Sequence, residues 1–163
     1  MSTVRSYVHA PRILWASVVV GGLLVALGDF IFATTLWFSW DVEGLKRCFQ
    51  TIAVGVLGKA SYDGGTQSAV LGAVLHVLMA TAFVAIYTLV ARRYRSLLER
   101  PVIHGVLYGV VLYVVMNFVV MPLSRVGRSP SFAHPDWITY AVLAHMLFGV
   151  ICVLFARRAL SRA

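Results

Sequence analysis

From Thr66 to Ala91 the chain runs for 26 residues without a formal charge, TQSAVLGAVLHVLMATAFVAIYTLVA, and then meets Arg92-Arg93. At about 1.5 Å per residue, a helix of that length crosses a bilayer core of about 30 Å. Few folds accept such a run. In lipid every backbone N–H and C=O must be bonded within the spanning structure, so only helices and closed barrels cross. A barrel strand needs only about 10 residues, with alternating polarity. The run therefore predicts a membrane helix, and it carries one ionisable group, His76, near its middle.

Three further apolar runs share this character. Ile13 to Phe38 is apolar except for Asp29, Val102 to Leu123 carries His104 at its inner edge and Asn117 further along, and Trp137 to Ala156 carries His145. The predicted spans are thus about 13–38, 66–91, 102–123 and 137–156. Charged residues make up 12 % of the chain, against roughly 25 % in a soluble domain. The net charge of +8 comes from arginines that flank apolar runs, which makes them topology signals rather than a nucleic-acid surface. The first run is too long for a cleaved signal peptide and is read as a retained span. Cys48 and Cys152 are expected at different depths, too far apart to bridge.

The segment 42–60 has a different pattern. Leu45, Phe49, Ile52, Ala53, Val56, Leu57 and Ala60 recur at helical spacing, with Lys46, Arg47, Gln50 and Gly58 opposite. This predicts a short amphipathic interfacial helix, too polar to span. Asp41 is placed to cap it, and Asp63-Gly64-Gly65 reads as a turn. The fold class predicted is all-α: one membrane domain over 1–163, with four transmembrane helices and one interfacial helix in a lipid bilayer.

Charge counting sets an orientation. Arg5, Arg12, Arg92, Arg93, Arg95, Arg100, Arg157, Arg158 and Arg162 fall on one side, in short segments. Lys46, Arg47, Lys59, Arg125 and Arg128 fall on the other, in longer loops. The first set marks the cytoplasmic side, with both termini there.

The intramembrane polar residues are the candidate site. Measured from the centre of each span, Asp29, His76, Asn117 and His145 all lie about 3 to 8 Å outward of the midplane. Small residues share their faces: Gly72 with His76, Gly105 and Gly109 with Asn117, and Gly149 with His145. Small faces mark close helix approach, so the four polar groups are expected to point into the bundle as one layer. Gly105 and Gly109 also offer a surface for a homo-oligomer or a larger membrane complex.

Several chemistries suit such a layer. Asp29 beside an imidazole would relay or sense protons. Two histidines and a carboxylate would hold a divalent metal. His76 and His145 would ligate a b-type haem, with Gly72 and Gly149 giving clearance. Each polar group also has a plain structural reading, a hydrogen bond between helices. No cofactor is predicted as the primary reading. No nucleophile-plus-base pattern, Gly-rich phosphate loop or HExxH run is present, so the sequence leans away from an enzyme. It leans toward an accessory or stress-related membrane component, with a small oligomeric transporter as a further alternative.

The block from Gln50 to Ser124 also resembles a group of small bacterial four-span inner-membrane proteins of unknown function and, more distantly, the YagU-like group. The features that carry the resemblance are Gln50 to Gly58, Gly64-Gly65, a span with central His76, Arg92-Arg93, Arg100-Pro101, and Met116 to Ser124 ending in PLS. The resemblance implies a bacterial cytoplasmic membrane. It assigns no activity, and no role to His76 or Asn117.

Overall fold

The computed structural model describes residues 13–128 and 133–161. Arg5, Arg12 and Arg162, counted above for orientation, lie outside the described residues. The chain forms five principal helices: α1 (Trp15–Trp37), α2 (Val42–Leu57), α3 (Gly65–Arg93), α4 (Pro101–Leu123) and α5 (Pro135–Ser161). Among the described residues there are no strands. The all-α reading holds, and α1, α3, α4 and α5 are each long and apolar enough to cross a membrane.

Large apolar side chains line the outside of all four. Leu27, Leu78, Leu107 and Leu147 are each more than half exposed. A soluble protein would bury such side chains or present them to a partner. On four long helices they form a lipid-facing belt.

Helices α1, α3 and α5 pack around a core of Val18, Val25, Ala26, Ala80, Val84 and Cys152. Helix α4 joins this trio mainly through α5. The close approach of α4 to α5 is a matter of glycine. A Cβ on Gly105 would meet the Val150 backbone at 2.5 Å, and one on Gly149 would strike the backbones of Gly105 and Gly109. Both residues expected to mediate self-association are therefore covered by α5 of the same chain. Gly21 and Gly22 do the same for α1, which rests on Phe155 and Thr81.

Helix α2 starts at Asp41, whose carboxylate accepts from the Gly44 N–H at 2.8 Å. Backbone donation from Gly44 holds that carboxyl below its ordinary pKa. The helix ends at Gly58, with φ of 67°, and a 3-10 turn over Gly58–Asp63 folds the chain back. It packs along α3, where a Cβ on Gly72 would strike the Phe49 carbonyl. Gly72 is thus a packing glycine, and its partner is α2. Phe30 of α1 stacks on Phe49 at 4.7 Å between centroids, tying α2 to the first span as well.

The expectation for Gln50 fails. It sits 1 % exposed rather than on an outer polar face. Its amide donates to the Gly65 carbonyl (3.0 Å), Ser68 Oγ (3.2 Å) and the Tyr62 carbonyl (3.4 Å). Ser61 Oγ in turn donates to the Gln50 carbonyl at 2.7 Å. The returning 3-10 turn and the start of α3 enclose the residue and supply its partners. Both cysteines are free and buried.

Candidate functional site: a cleft between α3 and α4

Helices α3 and α4 meet at one end only. There Tyr108 Oη donates to the Phe83 carbonyl at 2.8 Å, and the Tyr87 and Tyr108 rings pack 4.8 Å apart. Beyond this clamp the two helices diverge, leaving a cleft of about 600 Å³. Its walls are apolar, with Leu78 and Met79 from α3 facing Met116 and Val120 from α4. Helix α2 roofs it, and the chain leaving α4 ties to that roof through Arg125 N–H donating to the Gly55 carbonyl at 3.0 Å. Three ionisable residues line the cleft, one each from α1, α3 and α5: Asp29, His76 and His145.

Ala26 and Asp29 are three residues apart on α1 and so share a face. Both look toward His76. Its Nε2 bonds the Ala26 carbonyl at 2.9 Å and lies 3.7 Å from Asp29 Oδ2. A carbonyl only accepts, so Nε2 carries the hydrogen. Asp29 is then a charge neighbour to that N–H, while the carbonyl takes the bond. The His76 side chain is 10 % exposed and that of Asp29 35 %, so the carboxylate is the member of the pair presented to the cleft.

His145 approaches from α5. Its Nδ1 donates to the Ala141 carbonyl one turn back, at 2.8 Å. Its ring stands edge-on to Tyr113 of α4, 5.5 Å between centroids. Asp29 shares the cleft lining with both imidazoles. Lys46 and Arg47, the basic residues of α2, are engaged elsewhere. Lys46 pairs with Glu43 at 2.9 Å, and Arg47 stacks over the Tyr62 ring at 3.9 Å.

Asn117 does not join this group. Its Nδ2 donates to the Tyr113 carbonyl of its own helix at 3.0 Å. The reason is local. Pro122 has no N–H and its ring clashes with the carbonyl four residues back. The chain absorbs this in a π turn over Met116–Val120, which shifts the hydrogen-bond register. The amide of Asn117 bonds a carbonyl beside that shift. The predicted layer of four is thus a cluster of three, with the fourth residue serving its own helix.

The clearance invoked for a haem is occupied. Gly72 is packed by Phe49, and Gly149 by Gly105 and Gly109. Among the described residues no three His, Cys, Asp or Glu side chains are grouped closely enough to hold a metal ion. Two residues of the region were not singled out by sequence. Gln50 fixes the roof helix to α3, and Thr34 is fully buried on α1 with an Oγ1 that makes no hydrogen bond. A lone Gln or Thr in an amphipathic or apolar run gives no sign of this.

Fold and site together define a multi-pass α-helical membrane protein with an apolar cleft that also carries ionisable groups. Comparison with protein-family models, curated proteins and solved structures found no match.

Proposed function

We propose that this chain is a non-catalytic accessory component of a bacterial cytoplasmic membrane, with both termini cytoplasmic. Its working part is the α3–α4 cleft, which admits a small lipid-soluble molecule sideways from the bilayer. The observation that carries this reading is the meeting of an apolar cavity with Asp29, His76 and His145 at its floor. An ionised carboxylate in a bilayer costs about 2.5–3.5 kcal/mol or more on insertion scales. A scaffold held together by apolar and glycine contacts needs no such group. Cavities of this size, apolar with a few convergent polar groups, are typical small-molecule sites. The one-sided arginine distribution supports the orientation.

The test is to extract the protein with its native lipid shell, denature it and identify the small molecules released by mass spectrometry. One compound enriched over bulk lipid, and depleted in an Ala82→Phe variant that fills the cleft mouth, is the expected result. Identical profiles from the two proteins contradict the reading. Fusion reporters on each terminus check the orientation, and a periplasmic signal from either contradicts it.

A second reading has its own observation, the 3.7 Å separation of His76 Nε2 and Asp29 Oδ2. An imidazole N–H facing a carboxylate across so short a gap has a donor and an acceptor in line, which suits a proton relay. Proteoliposomes containing a pH dye test it. Asp29→Asn should slow proton entry, and equal rates for the two proteins remove the idea.

A further inference from the structure

Resting on the cleft as a ligand site, the hydrogen-bond inventory of its lining specifies the chemistry of the occupant. Five side chains on the lining carry conventional polar groups: Asp29, Thr51, His76, Ser124 and His145. Thr51 Oγ1 donates to the Arg47 carbonyl at 2.8 Å. Ser124 Oγ donates to the Met121 carbonyl at 3.0 Å. His76 Nε2 and His145 Nδ1 donate to the Ala26 and Ala141 carbonyls. A hydroxyl has one hydrogen and a neutral imidazole one N–H. Every donor on these neutral side chains is therefore spent on backbone. Thr51 Oγ1 also accepts from Tyr62 Oη, and Ser124 Oγ from the Val126 N–H, both at 3.3 Å. What the lining still offers a guest is lone pairs: the second one on each hydroxyl oxygen, the second nitrogen of each ring, and the carboxylate of Asp29. Among the described residues no lysine or arginine lines the cleft.

We infer that the occupant is a lipophilic amine, an apolar body bearing an ammonium head that donates hydrogen bonds and brings the missing positive charge. An anion or a carbonyl-headed molecule would find no free donor on these four side chains and would face the Asp29 carboxyl group. A charge-assisted N–H to carboxylate bond in a low-dielectric site is among the strongest hydrogen bonds. The apolar walls take the body of such a molecule, and the opening between α3 and α4 lets it enter from lipid.

The experiment titrates decylammonium, decanol and decanoate into the full chain in phosphatidylcholine nanodiscs, with protein-free nanodiscs setting the partitioning background. Decylammonium is expected to show a saturable one-to-one component, with decanol weaker and decanoate at background. Asp29→Asn replaces the charge by a neutral amide and is expected to weaken decylammonium at least roughly tenfold. Decanoate binding as well as decylammonium on the unaltered protein overturns the inference and leaves the cleft as a ligand site; this comparison does not depend on any variant folding. Unchanged decylammonium affinity in a folded Asp29→Asn protein overturns it equally. Background binding of all three probes, unaffected by Ala82→Phe, overturns the ligand reading itself.

Discussion

Gln50 ties α2 to the turn that follows it and to the start of α3. Its two amide hydrogens are shared among the Gly65 and Tyr62 carbonyls and Ser68 Oγ, in a site with almost no exposure. Gln50→Leu keeps the size and removes the donors, stranding buried acceptors at a cost of about 1–3 kcal/mol. The expected result is a lower unfolding midpoint in detergent, with faster amide exchange at the start of α3. Asp41 is a gentler case at the exposed end of the same helix. Its carboxyl is held below the ordinary aspartate value by donation from Gly44. A depressed folded value means that its stabilisation is fully present above about pH 4. It is lost as pH falls through the folded value. Asp41→Asn still caps the helix but has no charge to lose. Protection of the amides in the first turn of α2, taken relative to their intrinsic exchange rate at each pH, is therefore expected to fall on acidification in the wild type and to show no such step in the variant.

At the scale of elements, the α4–α5 contact has no room for a side chain at Gly109, whereas the α2 roof has room for one at Gly55. A Cβ on Gly109 would strike the His145 carbonyl and Met146 Cα, both backbone. Gly109→Ala must push the helices apart, with the penalty of about 1–3 kcal/mol typical of overpacking. At Gly55 the nearest atom to a new Cβ is 3.8 Å away. Gly55→Ala has space and gains up to about 1 kcal/mol of helix propensity. Opposite shifts in thermal midpoint are expected from two chemically identical changes, one in the α4–α5 contact and one on the roof of the cleft. The elements themselves were legible because a 26-residue uncharged run allows so little else. Partner choice was less so. Gly105 and Gly109 announced a close helix contact, but nothing in their spacing said whether a second copy or α5 would fill it. Asn117 was misjudged because a lone amide on a span bonds its own helix or a neighbour with equal ease. Pro122, five residues on, was the readable sign that the local backbone needed help. Gln50 was misplaced because amphipathic periodicity assumes one buried face, whereas α2 is enclosed on a second side by the 3-10 turn that follows it.

For the molecule as a whole, depth along each span was the useful signal. Asp29, His76 and His145 come from helices separated by up to more than a hundred residues in sequence, and they meet at one cleft. The cavity was not legible, because it arises from α3 and α4 diverging beyond the Tyr87–Tyr108 clamp. The sequence marks no such divergence. The convergence of the three groups is tested most directly by ¹⁵N-histidine solid-state NMR of the protein in bilayers, comparing wild type with Asp29→Asn. The His76 and His145 ring resonances are predicted to move together while that of His104, at the far end of α4, stays in place. Unmoved His76 and His145 resonances in a folded variant would contradict it.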